Sequence, residues 1–143
     1  MGRVINAGDT PAKRRHAAMR SCAEVLRLLA QRSTFDTEGR DMAAFLVFNL
    51  EDIYTIIDES AHTWDERGYW KKAEALRERY RWARKAARSL RKTILANQWE
   101  EVPPQLIALV PHFNDIRVST VTRDADWWAG AYRALERKQA KAE

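Results

Sequence analysis

The sequence predicts an all-α protein, a single-domain antiparallel helical bundle of four main helices plus a short extra helix. Three observations lead there. Apolar residues recur with the 3.6-residue helical period along most of the chain. Glycine and proline are scarce, five and four residues, and cluster at the ends of the periodic segments. At 143 residues the chain has the size of one common domain, large enough to bury roughly two-thirds of its unfolded surface without a metal or disulfide staple.

The first helix is expected to start after Thr10, an N-cap, with Pro11 at the first helical position. Its stripe is Met19, Cys22, Ala23, Leu26, Leu29 and Ala30, and the polar stretch from Ser33 to Gly39 ends it. The second helix is expected from about Asp41 to Arg67, with Met42, Phe45, Leu46, Asn49, Ile53, Ile56, Ile57 and Trp64 on one face. Gly68 supplies the left-handed residue that closes it.

The third helix restarts at once, from Tyr69 to about Trp99, so it forms a hairpin with the second. Ala73, Leu76, Tyr80, Ala83, Ala87, Leu90 and Ile94 line its apolar side, several of them small enough for close helix approach. Val102-Pro103-Pro104 is expected to break the chain, followed by a short helix from Gln105 to Val110 that stops at Pro111. Phe113 to Thr122 reads as extended or irregular. The last helix is expected from about Asp124 to Lys138, presenting Trp128, Ala131 and Leu135. Residues 1–10 and 139–143 are expected to be flexible.

Cys22 is the only cysteine, so no internal disulfide forms and a reducing compartment is expected. Met1 to Thr10 lacks the apolar core of a signal peptide. The longest apolar run, Met42 to Phe48, has seven residues, against the ~20 needed to span a bilayer. These features favour a soluble cytoplasmic protein that does not enter membranes.

Net charge is +5, but its layout says more than its sum. Residues 38–68 carry −6 and residues 69–99 carry +8. At 100° per residue, Arg77, Arg81, Arg84, Arg88 and Arg91 fall on one arc of the third helix, flanked by Lys85 and Lys92. Trp70 lies on the same face one turn earlier. Guanidinium groups suit phosphate because their planar fork donates two hydrogen bonds and stays charged. Lys13, Arg14 and Arg15 would add a second contact, with Trp70 or Trp82 stacking bases. The competing reading is self-neutralisation. Glu51, Asp58, Glu59, Asp65 and Glu66 on the second helix would pair with the stripe across the hairpin, each exposed pair contributing ~0–1 kcal/mol.

Six tryptophans are present: Trp64, Trp70, Trp82, Trp99, Trp127 and Trp128. Trp64 and Trp70 bracket the hairpin turn and are expected to plug that end of the bundle. Trp82 points away from the apolar stripe, and Trp127 and Trp128 cannot both face one core. These three are the expected anchors of a protein interface.

Catalytic chemistry has little to stand on. Glu59 and His62 have the Glu-x-x-His spacing of di-metal bundles, but a second such pair is missing and both lie on the polar side. Cys22 sits on the apolar stripe, as a core residue would. Gly8-Asp9-Thr10 reads as a turn into a helix cap. The expectation is a non-enzymatic accessory protein, without cofactor or metal, that binds nucleic-acid backbone, RNA or single strands in preference to duplex DNA. The alternative is a protein-interaction or homo-oligomerisation module within a larger complex.

Overall fold

The computed structural model describes residues 9–142, and among them every regular element is helical. The flexibility expected for residues 1–8 and for Glu143 lies outside the described residues. Six α-helices are present: α1 Pro11–Ala30, α2 Thr37–Glu66, α3 Trp70–Leu95, α4 Val102–Leu109, α5 Ala125–Trp128 and α6 Ala131–Ala142. Single 3₁₀ turns, Trp99–Glu101 and Val110–Phe113, flank α4.

Local chemistry sets the ends. Thr10 caps α1 by accepting a hydrogen bond from the Lys13 backbone N–H at 3.2 Å, with Pro11 directly after it. α2 begins four residues earlier than expected because Asp36, not Asp41, starts it. The Asp36 carboxylate accepts the Gly39 N–H at 2.8 Å and is itself gripped by Arg32 at 2.8 and 2.9 Å. Gly68 closes α2 at φ +82°, and the Tyr69 N–H returns to the Trp64 carbonyl at 2.9 Å. Asn97 does the same for α3 at φ +58°, with the Gln98 N–H on the Thr93 carbonyl at 3.0 Å. α3 therefore stops at Leu95 rather than near Trp99.

Proline acts differently from expectation. Pro103 and Pro104 sit in the first turn of α4, where missing N–H groups leave nothing unpaired. Pro111 lies inside the following 3₁₀ turn rather than ending the helical path. The single last helix is also corrected: the chain turns at Ala129 and Gly130 (φ +79°), between α5 and α6. Asp41 of α2 explains the break. It accepts the N–H groups of Gly130 at 3.2 Å and Tyr132 at 3.0 Å, capping α6 from another element. α6 then continues through Ala142, past the expected end at Lys138.

α2 is the hub, touching α1, α3, α5 and α6. Met42 through Val47 are consecutively buried, so no side of that segment faces water. Towards its other end the burial narrows to Ile53, Ile56, Ile57 and Ala61. Each fully buried isoleucine contributes about 1.5–3 kcal/mol. On α3 the matching positions Ala73, Ala83 and Ala87 are buried and small. Asn49, polar within this stripe, donates its side-chain amide to the Phe45 carbonyl at 2.8 Å, one turn back on the same helix.

Residues 114–124 form no helix, and a buried carboxylate holds them. Glu24 of α1 is sealed from solvent. Its oxygens accept from Arg20 at 2.6 Å, from the Thr122 and Arg123 N–H groups at 2.6 and 2.8 Å, and from the Thr122 hydroxyl at 2.7 Å. Arg20 also donates to the Arg117 and Thr120 carbonyls at 2.8 and 2.6 Å, and Arg27 to that of Val118. Burial alone would raise the Glu24 pKa. The hydrogen bonds from Arg20, Arg123 and Thr122 outweigh it and bring the group down to about 2.

Replacing Glu24 with Gln should cost about 3 kcal/mol, because Arg20 and Arg123 lose a partner, and urea unfolding at pH 7 measures it. A folded-state pKa of about 2, below the unfolded value of about 4.3, gives stability that is full above the unfolded value. That stability is lost as pH falls towards 2, so the gap between wild type and variant should close over that interval.

Candidate nucleic-acid interface

The third helix carries ten basic residues between Lys71 and Lys92, and its neighbours divide them. Arg77 leans onto α2, bonding Asp58 and Asp65 at 2.9 Å each. Those hydrogen bonds raise its pKa further. Arg91 reaches Glu51 of α2 at 2.5 Å. Arg81 stays on its own helix, at 2.5 Å from Glu78 and 3.7 Å from Glu74. Among the described residues no carboxylate pairs with Arg84; its guanidinium lies 5.3 Å from the centre of the Tyr54 ring. Lys85, Arg88 and Lys92 are exposed, and among the described residues none of them has an acidic partner.

The arc thus divides into cations that pair with acids, Arg77, Arg81 and Arg91, and cations that do not among the described residues. Arg77 and Arg91 are attached to the acidic helix, as self-neutralisation requires. Arg84, Lys85, Arg88 and Lys92 remain open to a partner over roughly 12 Å of helix. Between α2, α3 and α6 runs a groove of about 410 Å³, lined by Glu51, Tyr54, Thr55, Arg84, Arg88, Arg91 and Lys138. Lys138 of α6 shares Glu51 with Arg91, at 3.2 Å. Neither Tyr54 nor Lys138 stood out in the sequence, because their place depends on how α6 docks on α2.

The amino-terminal cluster is not one unit. Arg14 pairs with Glu59 at 3.0 Å, Arg15 lies 5.8 Å from the Tyr80 ring centre, and only Lys13 is exposed. Trp70 does not plug the bundle: it is 65% exposed, with Lys71 5.6 Å from its ring. Trp64 is half-buried and meets Tyr69 edge-on at 5.8 Å, with Lys72 4.7 Å from its ring.

The expected interface tryptophans are largely used inside the fold. Trp82 stacks flat on His112 at 3.9 Å and meets Phe113 edge-on, so the 3₁₀ turn covers it. Trp128 is buried against Phe45, and its indole N–H donates to Glu38 at 3.2 Å. Trp127 is half-buried, with Arg123 4.5 Å from its ring. As folded, Trp128 cannot anchor a partner. Glu59 and His62 do not converge either: Arg14 takes Glu59, and His62 faces Glu66 at 3.1 Å. Among the described residues no group of three His, Cys, Asp or Glu could hold a metal ion, and no helix is long and apolar enough to cross a membrane.

This division is testable by stability alone. Arg77→Ala should lower the unfolding free energy by about 1 kcal/mol, since it removes two part-exposed ion pairs. Arg88→Ala should stay within about 0.5 kcal/mol of wild type. Urea titration followed by circular dichroism checks both.

Set beside known protein families, curated proteins and solved structures, the chain matches none.

Proposed function

We propose that this chain is a non-enzymatic accessory protein that binds nucleic-acid backbone, RNA or single strands in preference to duplex DNA, through the outer face of α3. The observation that carries this reading is the row of exposed cations, Lys85, Arg88 and Lys92, without acidic partners among the described residues, beside an Arg84 that lies over the Tyr54 ring. A surface meant only to stabilise the hairpin would have carboxylates opposite them, as Arg77 and Arg91 do.

Phosphate contact without base readout suits a flat helix face that offers point charges and forks. The exposed Trp70 ring adds a stacking platform at the start of the same helix, which favours unpaired bases. We also read the fold as one domain, an antiparallel bundle around α2. The pairing of Arg77 with Asp58 and Asp65, and of the later Arg91 with the earlier Glu51, supports that sense. The lone buried thiol of Cys22 suits the reducing cytoplasm.

A second reading, association with a protein or a second copy of the chain, is favoured by a different surface from the one expected. Ile107 and Val110, at the end of α4, are 71% and 49% exposed.

Fluorescence anisotropy with a labelled single-stranded RNA tests the first reading. Four phosphate contacts should weaken binding about 50-fold between about 50 and 200 mM salt. Charge reversal at Arg84, Arg88 and Lys92 together should abolish binding while the helical circular-dichroism signal survives. Unchanged affinity in that variant removes the site.

A further inference from the structure

We propose that the groove between α2, α3 and α6 is a pocket for a phosphomonoester, the terminal phosphate of a nucleic-acid strand. In this strand-end form the inference rests on the nucleic-acid reading of α3. Four cations line the groove, Arg84, Arg88, Arg91 and Lys138, against one carboxylate, Glu51. Glu51 bonds Arg91 and Lys138 together, so it orders two cations while its single charge offsets only one. The excess of positive charge matches a dianion better than the single charge of an internal phosphodiester.

Lys138, Glu51 and Arg91 form a bridge joining α6, α2 and α3 along the groove. Arg84 and Arg88, one turn apart and without carboxylates, supply forked donors for its oxygens. Thr55 adds a hydroxyl, and the half-buried Tyr54 an apolar surface for the attached sugar or base. A volume of about 410 Å³ falls in the range of small-ligand pockets.

The experiment uses one single-stranded RNA sequence in three forms: 5′-phosphorylated, 3′-phosphorylated, and hydroxyl at both ends. Anisotropy at about 50 mM salt should show one phosphorylated end binding about tenfold tighter than the hydroxyl form. Lys138→Gln, on the groove but away from the outer face of α3, should erase that preference and leave the hydroxyl form's affinity unchanged. Adenosine monophosphate should displace the phosphorylated strand down to the affinity of the hydroxyl form.

Equal affinity for all three strands overturns the pocket and leaves the backbone reading standing. Binding of adenosine monophosphate by calorimetry with no strand binding at all supports the phosphomonoester chemistry, assigns it to free nucleotides, and overturns the backbone reading. Absence of binding to strands and nucleotide alike overturns both.

Discussion

The seam between α2 and α3 determines what this protein can present to a partner. α2 is the most enclosed element, and its acids Glu51, Asp58 and Asp65 lie where α3 passes. They take Arg77 and Arg91 in the rotation of α3 that burial of its apolar side sets. In that rotation Ala73, Ala83 and Ala87 face the core. Arg84, Lys85, Arg88 and Lys92 must then lie towards the groove or the solvent. Hydrophobic burial holds the helices together; the ion pairs select which cations remain available. Each pair is individually weak in solvent, so their role is that selection more than stability.

The second organising contact is the Glu24 carboxylate, which does for the irregular segment what packing does for the helices. Residues 114–124 have no helical hydrogen bonds of their own, and their N–H and carbonyl groups are met by Glu24, Arg20 and Arg27 of α1. Ile116 and Val118 then pack against the core. That path delivers the chain to α5 and α6, where Asp41 caps the last helix and Lys138 reaches Glu51. The groove beside α3 therefore depends on a carboxylate on the opposite side of α2's neighbourhood, through the position of α6.

The helices were legible in the sequence because the period of 3.6 and the turn chemistry agree. Thr10, Pro11 and Gly68 act as their residue types predict. Asn97 is equally readable as a left-handed closure, although apolar periodicity alone carries the helix on towards Trp99. The break at Gly130 was harder, because its cause is Asp41, 89 residues away in sequence. Glu24 gave no local signal for the same reason, its main-chain partners lying 98 and 99 residues on. The charge stripe was readable as an arc but not as two halves. Periodicity places residues on a face, and only the packed neighbour decides which cations meet acids. Trp82 shows the same limit: its exposure on the helix wheel is reduced by His112 and Phe113, residues of another segment.

The central claim is that α3 binds phosphate with the cations its neighbour leaves free, and one comparison addresses it directly. The salt dependence of single-stranded RNA affinity should be measured for wild type, Arg88→Gln and Arg77→Gln. Arg88→Gln should flatten the logarithmic salt slope by about 0.7, one phosphate contact's worth, while Arg77→Gln should leave it unchanged. Equal flattening by both substitutions, or flattening by Arg77→Gln alone, would contradict that claim.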